Sequence, residues 1–364
     1  MSFYEKELKA IKKSNRFRTR EVQDSKLFDF ASNDYLCLAH TKEIHLEALS
    51  CMQELECYAP KASMLVNGYH QVHKDFEDAI SKANGFEDAI VLGSGFNANI
   101  ALIEALCRKN DIVFMDERYH ASGVLATNIK HINVVFFKHN DMDELSNLFV
   151  KYSDAKRKIV AVEGIYSMDG DMVCKEVFEI CDKDDTLLVV DEAHSSGVVG
   201  DNLMGVFDYY GIEIKPNHIK MGTLGKAYGS FGAYILASSH IVSYLLNRAK
   251  PIIYATSLSL YDTIAAHRSL EYILKNKEIL KLKILARQQI VKEILGIDID
   301  GLIVPIVIGS NKKVMQIKNK LLEDGYLVGG IRQPTVEHPI VRVIARLCQS
   351  EDKLKQLCQK IINF

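Results

Sequence analysis

Thr186-Leu187-Leu188-Val189-Val190-Asp191-Glu192-Ala193-His194 is a short apolar run that ends in two carboxylates and a histidine. A run this short, without polar alternation, predicts a strand buried on both faces, as in a parallel sheet covered by helices. A carboxylate at the carboxyl end of such a strand stands on the edge where open α/β sheets bind ligands.

Similar runs precede it at Asp88 to Leu92, Ile112 to Met115, Val134 to Phe137 and Ile159 to Val162. Between several of them apolar residues recur at helical spacing, as in Val72, Phe76, Ile80 and Ala83, and in Ile100, Ile103, Leu106 and Cys107. Strands alternating with helices predict an α/β fold built on a mostly parallel sheet. Leu27 to Phe30 reads as one further short strand. Beyond about residue 236 the pattern changes to long lysine-rich helices such as Leu270 to Leu295, then to a small α+β tail with strands near Leu302 to Val307 and Val341 to Ile344. The expected organisation is an N-terminal segment at 1–40, a large domain at 41–235 and a C-terminal α+β domain at 236–364.

Forty-five basic residues face 47 acidic ones in 364, a formal charge of −2. That balance leaves no electrostatic footprint for a nucleic acid or an anionic membrane. Hydrophobic residues at 48% and charged residues at 25% suit an ordinary core-bearing globular protein. No apolar run approaches the roughly 18 residues that span a bilayer. The charged start Phe3-Tyr4-Glu5-Lys6-Glu7 is no secretory signal, so a cytoplasmic location is expected. None of the eight cysteines pairs as C-x-x-C, and all are expected to be free thiols. His70 and His73 lack the further ligands a metal site needs, so no metal is expected.

Two glycine-rich corners compete for the chemistry. Gly93-Ser94-Gly95-Phe96-Asn97-Ala98 follows a strand and opens a helix, and Asp116 closes the next strand. This satisfies the written G-x-G-x-x-A dinucleotide fingerprint and makes a nicotinamide dehydrogenase the alternative from a different class. Its physical content is narrower: bare amides at a helix start cradle any phosphate. The second corner is Gly222-Thr223-Leu224-Gly225-Lys226-Ala227-Tyr228-Gly229. A lysine held among small residues becomes a carbonyl nucleophile once it loses its proton, and Thr223 offers a hydroxyl to a phosphate. Lys226, the Asp191 carboxylate and a phosphate cradle together are what pyridoxal phosphate requires: an imine-forming amine, an acid for the pyridine nitrogen and an anion site.

Asp191-Glu192-Ala193-His194-Ser195-Ser196-Gly197 and Thr223-Leu224-Gly225-Lys226 resemble the two hallmark segments of the α-oxoamine synthases, pyridoxal-phosphate enzymes that condense an amino acid with an acyl thioester. Ala31-Ser32-Asn33-Asp34-Tyr35-Leu36, Asn67 to His73, Gly93 to Asn99, Tyr119-His120-Ala121-Ser122 and Glu163 to Gly170 resemble further family segments in family order, over nearly the whole chain. The resemblance implies the pyridoxal-phosphate-dependent transferase fold type I, aspartate aminotransferase-like, with a large mostly parallel-sheet domain and a small C-terminal α+β domain. It implies that Lys226 bonds the cofactor and moves the α-proton, that Asp191 pairs with the pyridine nitrogen, and that His120 stacks on the ring. His194 and Ser167 would hold the phenolic oxygen, and Gly95, Phe96 and Thr223 the phosphate. Thr256 and Ser257 resemble a segment that reaches the phosphate from a second subunit, which implies a homodimer.

Ile331-Arg332-Gln333-Pro334-Thr335-Val336 is similar to the stretch found in members that condense L-alanine with a pimeloyl thioester, carried on coenzyme A or an acyl carrier protein. Arg18 (with Arg16 or Arg20 as the alternative), His120, Thr335 and Arg342 then fall on substrate positions. Glycine-using members of the same family are the alternative. The sequence departs from the family at Pro60-Lys61-Ala62-Ser63-Met64, where a glycine-rich segment is usual, at Cys37, and at Arg342-Val343-Ile344, where R-x-R is usual. Arg346 shares strand parity with Arg342, so the resemblance leaves open which of the two binds the amino acid carboxylate.

Overall fold

The computed structural model describes all residues except Met1, Asn15, Lys130, His131 and Asp185, and all side chains but those of these five, Ser2 and Ile129. Along the chain the strands are β1 (Phe28–Asp29), β2 (Asp88–Leu92), β3 (Ile112–Asp116), β4 (Asn133–Phe137), β5 (Lys158–Glu163) and β6 (Leu187–Asp191). They continue as β7 (His218–Thr223), β8 (Ala233–Ala237), β9 (Ile303–Val307), β10 (Tyr326–Leu327), β11 (Gly329–Ile331) and β12 (Ile340–Ile344). The described residues divide into two compact units.

The larger unit comprises 34–167 and 171–283 and contains a seven-stranded sheet in the order β2-β8-β7-β6-β5-β3-β4. Neighbours from β7 to β4 are parallel, and β8 runs against both β7 and β2. The sheet is therefore mostly parallel, with β8 the reversed strand. Its middle strands are continuous apolar runs because both faces are covered. Val113, Met115, Ile159, Ala161, Val189, Ile219 and Ile235 share one core with Ala101, Leu102 and Ala105 of the helix Gly95–Leu106. Burying a side chain of this size fully is worth roughly 1.5–3 kcal/mol before entropy is counted.

Apolar patterning does not reveal β7, because His218 and Lys220 interrupt it. Both are fully buried. The Lys220 ammonium donates to Asn84 Oδ1 at 2.8 Å and to the Met204 carbonyl, and lies 3.6 Å from Glu192 Oε1. Burial pulls its pKa down, against the attraction of Glu192.

The smaller unit comprises 1–33, 168–170 and 284–364. Its antiparallel sheet has the order β11-β12-β9, and β1 pairs in parallel with β10. The helices Ser2–Lys13, Asn311–Glu323 and Glu351–Ile362 belong to it. The 36-residue helix Leu260–Leu295 starts in the larger unit and ends in the smaller. Cys51, Cys57, Cys107, Cys174, Cys181 and Cys358 are free thiols, as expected. Cys37 and Cys348 are not among the free thiols, which corrects the reading of eight reduced cysteines. Among the described residues, no helix is long and apolar enough to cross a membrane.

Candidate active site

Parallel strands collect their carboxyl ends on one edge, and the register fixes what meets there. Glu163 ends β5 opposite Asp191, which ends β6. Asp191 stands opposite Met221, just before Thr223 ends β7. On the other side of β8, Leu92 of β2 and Thr223 of β7 both pair with Ala233. The two glycine-rich corners singled out in the sequence are thus neighbours across one reversed strand.

Lys226 Nζ lies 2.9 Å from His194 Nε2. The other nitrogen of that ring, Nδ1, lies 2.5 Å from the hydroxyl of the fully buried Tyr35. The sequence placed Tyr35 only within a family segment; its role in orienting His194 depends on a contact 159 residues away along the chain. Packing holds the lysine loop in place. Gly197 has φ +84° and a Cβ there would collide with the Cβ of Ala227, so only glycine lets the loop after Asp191 approach Lys226 this closely.

Asp191 is almost fully buried. Its Oδ1 accepts from the Ala193 amide at 3.0 Å and its Oδ2 from Asn99 Nδ2 at 2.9 Å. Glu163, also buried, accepts the Ser167 amide at 3.0 Å on Oε2, and Oε1 has no partner among the described residues. Burial first, and then the Asp191 charge, push the Glu163 carboxyl well above the usual carboxylate range. Burial likewise lowers the pKa of His120, and so does the charge of Lys226, against the opposite pull of Asp191. A neutral His120 accepts from the Ser122 amide on Nδ1 at 3.3 Å.

The phosphate corner is built from the helix Gly95–Leu106. Ser94 caps it, its hydroxyl accepting the Asn97 amide at 3.2 Å. The amides of Gly95 and Phe96 in the first turn have no carbonyl a turn earlier to bond. A Cβ at Gly95 would sit 2.5 Å from Thr223 Cγ2, so a side chain there would close the corner. Thr223 Oγ1 is buried without a hydrogen-bond partner among the described residues.

The dinucleotide reading fails here. Among the described residues β2 is an edge strand whose only strand neighbour, β8, is antiparallel, whereas that motif opens a parallel βαβ unit. Asp116, the candidate ribose acid, is fully buried. It accepts from the Arg118 and Asn140 amides and bonds the His139 ring at 3.1 Å. His139 Nε2 in turn lies 2.7 Å from Asp171 Oδ2. Burial opposes charge on His139, yet the two carboxylates outweigh it and hold its pKa at about 9.

Thr256 is exposed and Ser257 half-buried. The Ser257 amide donates to the Ala62 carbonyl at 3.1 Å, and its hydroxyl lies beside Gly68 without a hydrogen-bond partner among the described residues. This ties the segment to residues 62–68 of its own chain.

The remaining substrate candidates lie in the smaller unit. Arg18 and Thr335 line one cavity of about 480 Å³ with Leu8, Ile11, Phe17 and Arg332. Arg342 lies on β12 and donates to Asn33 Oδ1 at 3.1 Å. Arg346 lies beyond the strand, which stops at Ile344, and is 1% exposed. It pairs with Asp29 and donates to Cys348 Sγ at 3.0 Å.

A reversed-strand α/β sheet presenting lysine, histidine, aspartate and an anion corner on one edge describes a class of enzymes, and similarity to known proteins agrees. The chain belongs to the aminotransferase class I and II family, whose pattern matches residues 25–361, and within it to the α-oxoamine synthases. It is 41% identical over 362 residues to the 8-amino-7-oxononanoate synthase of Helicobacter pylori, covering 99% of this chain and 97% of that one. A crystal structure of 8-amino-7-oxononanoate synthase from Francisella tularensis superposes with a TM-score of 0.77 at 25% identity, covering 93% of this chain and 99% of that one. Serine palmitoyltransferase from S. paucimobilis, with pyridoxal phosphate and myriocin bound, matches with a TM-score of 0.87 at 21% identity over 98% and 94%. That likeness establishes fold type I.

Proposed function

We propose that the chain is a pyridoxal-phosphate-dependent acyltransferase of biotin biosynthesis. It condenses L-alanine with a pimeloyl thioester, on coenzyme A or an acyl carrier protein, and releases carbon dioxide to give 8-amino-7-oxononanoate. The observation that carries the reading is the convergence of Lys226, His194 and Asp191 on one sheet edge beside a Thr223 hydroxyl with no hydrogen-bond partner among the described residues. The residues fit the cofactor: the Thr223 hydroxyl and the first amides of the helix Gly95–Leu106 suit a phosphate that no described side chain replaces.

Pyridoxal phosphate bound here supplies an electron sink for a carbanion at the α-carbon of the amino acid. The chain supplies the rest. Lys226 would hold the cofactor through its carbonyl carbon, and its free amine would take the α-proton of alanine on Nζ. His194, 2.9 Å away, holds the phenolic oxygen together with Ser167. Asp191 keeps a proton on the pyridine nitrogen, its buried carboxylate oriented by Asn99 and the Ala193 amide. His120 covers the ring. Arg342 binds the alanine carboxylate, and the cavity of Arg18 and Thr335 takes the acyl chain, its apolar lining suited to methylenes and its arginines to a distal carboxylate. Thr256 and Ser257 serve the phosphate of a second copy in a homodimer. The enzyme works in the cytoplasm, without nucleic acid, membrane or metal.

The test is a substrate screen with product mass spectrometry, joined to borohydride reduction of the holoenzyme. The pyridoxyl mass is expected on the peptide carrying Lys226, and 8-amino-7-oxononanoate is expected from alanine and a pimeloyl thioester. Turnover of glycine in place of alanine would move the assignment to glycine-using relatives, and no retained cofactor would end it.

A further inference from the structure

Asn99 is 1% exposed and both ends of its amide are occupied. Its Nδ2 donates to Asp191 Oδ2 at 2.9 Å and to Ser122 Oγ at 3.0 Å, and its Oδ1 accepts the Tyr119 hydroxyl at 2.6 Å. Ser122 Oγ then lies 2.7 Å from His120 Nδ1. The carboxylate can only accept, so the orientation of the Asn99 amide is dictated and not a matter of assignment. The Tyr119 hydroxyl is fixed as donor, and burial together with Asp191 keeps it protonated. Because the Ser122 amide donates to His120 Nδ1 at 3.3 Å, that nitrogen is an acceptor, and the hydrogen bonds run in one direction, from Asn99 through the Ser122 hydroxyl to His120 Nδ1. That order leaves the imidazole proton on Nε2.

We propose that Asn99 is a positioning residue that joins the Asp191 carboxylate to the His120 ring, so that the group holding the cofactor's nitrogen and the group covering its face are set by one side chain. This deepens the proposed function and rests on it. Ser94, Gly95 and Phe96 stand in the first turn of the helix that carries Asn99. The phosphate corner and the ring-nitrogen partner are thus held at a fixed spacing by one rigid element. An amide is the side chain that serves here. A carboxylate at 99 would face Asp191 within hydrogen-bond distance, and the pair would have to share a proton.

The experiment measures pyridoxal phosphate affinity of Asn99→Asp against wild type, by the cofactor's visible band, from about pH 8.5 to about pH 5.5. Loss of one hydrogen bond to a buried charge is expected to weaken binding roughly tenfold or more at the high end. The gap should close on acidification, because a protonated carboxyl donates to Asp191 as the amide does. A gap that stays constant with pH overturns the proposal, since a packing defect has no reason to titrate. Ser122→Ala cuts only the arm to His120 and covers the case in which Asn99→Asp does not fold. It is expected to hold cofactor affinity within about threefold while changing the circular dichroism of the bound cofactor; an unchanged dichroism overturns the coupling. A wild-type protein that takes up no pyridoxal phosphate defeats the underlying function, whereas a wild type that binds it alongside unaffected variants defeats only this inference.

Discussion

Replacing Arg346 and Arg342 in turn separates a structural arginine from a substrate-binding one. Arg346 is 1% exposed and pairs with Asp29, whose side chain is 31% exposed. Asp29 Oδ1 also accepts the Ala31 amide at 2.8 Å and the Ser32 amide at 3.0 Å, so the pair anchors the turn that follows β1. Removing one partner of a buried ion pair costs about 3–5 kcal/mol. Water reaches Asp29, which places Arg346→Ala near the lower end, about 3 kcal/mol. Asp29→Ala should cost a similar amount and the double variant little more, so the coupling is read as non-additivity of the urea midpoints.

Arg342→Lys keeps the charge but loses the planar fork that grips a carboxylate. Its expected effect is a rise of about tenfold or more in the KM for alanine, with the urea midpoint within about 1 kcal/mol of wild type. The assay pairs urea unfolding of the holoenzyme with steady-state kinetics at varied alanine. A large KM increase in Arg346→Ala at unchanged stability, together with a silent Arg342→Lys, would refute the assignment.

Gly95→Val should weaken pyridoxal phosphate binding by about tenfold or more, measured by absorbance titration, because even a Cβ would stand 2.5 Å from Thr223 Cγ2 in the phosphate corner. Glu163→Gln should leave cofactor affinity within about threefold, since burial and Asp191 push the Glu163 carboxyl towards its neutral form; a large loss would mean that it carries charge. The His139 pKa is raised, so its contribution is full below its ordinary value of about 6.5 and is lost as pH rises through about 9. His139→Gln should therefore be destabilised by on the order of 2–3 kcal/mol at pH 6 and by much less at pH 10, as read from urea midpoints.

The parts of this molecule that could be read from the sequence are those whose physics is local along the chain. Unbroken apolar runs mark β2, β3, β5 and β6 because burial on both faces removes polar alternation. Gly222 and Gly229 near Lys226, and Gly95, are visible because close approach excludes a Cβ whatever lies opposite. What escaped depends on partners distant in sequence. β7 hides behind Lys220, whose charge is met by Asn84 and Glu192. The written dinucleotide fingerprint is present, but pairing of β2 with β8 alone among the described residues and the capture of Asp116 by His139 take away its meaning. Arg346 has the same strand parity as Arg342, and only the end of β12 at Ile344 together with the Asp29 pair gives it a different task.

The site shows the same division. Lys226, Asp191, His194 and Thr223 announce themselves by residue type, because each is the side chain that reaches a cofactor. Tyr35 and Asn99 do not, because their work is to hold those side chains in place, and any buried donor of the right reach has the same local signature. A helix bearing Asn99 one turn after Ser94 looks like an ordinary apolar helix with one polar residue on it. Only the 2.9 Å contact to Asp191, 92 residues away along the chain, turns that residue into part of the site. Conversion of a legible set of reacting groups into a working geometry therefore falls to buried hydrogen bonds, and those are the positions where conservative substitutions should cost cofactor affinity out of proportion to the atoms they change.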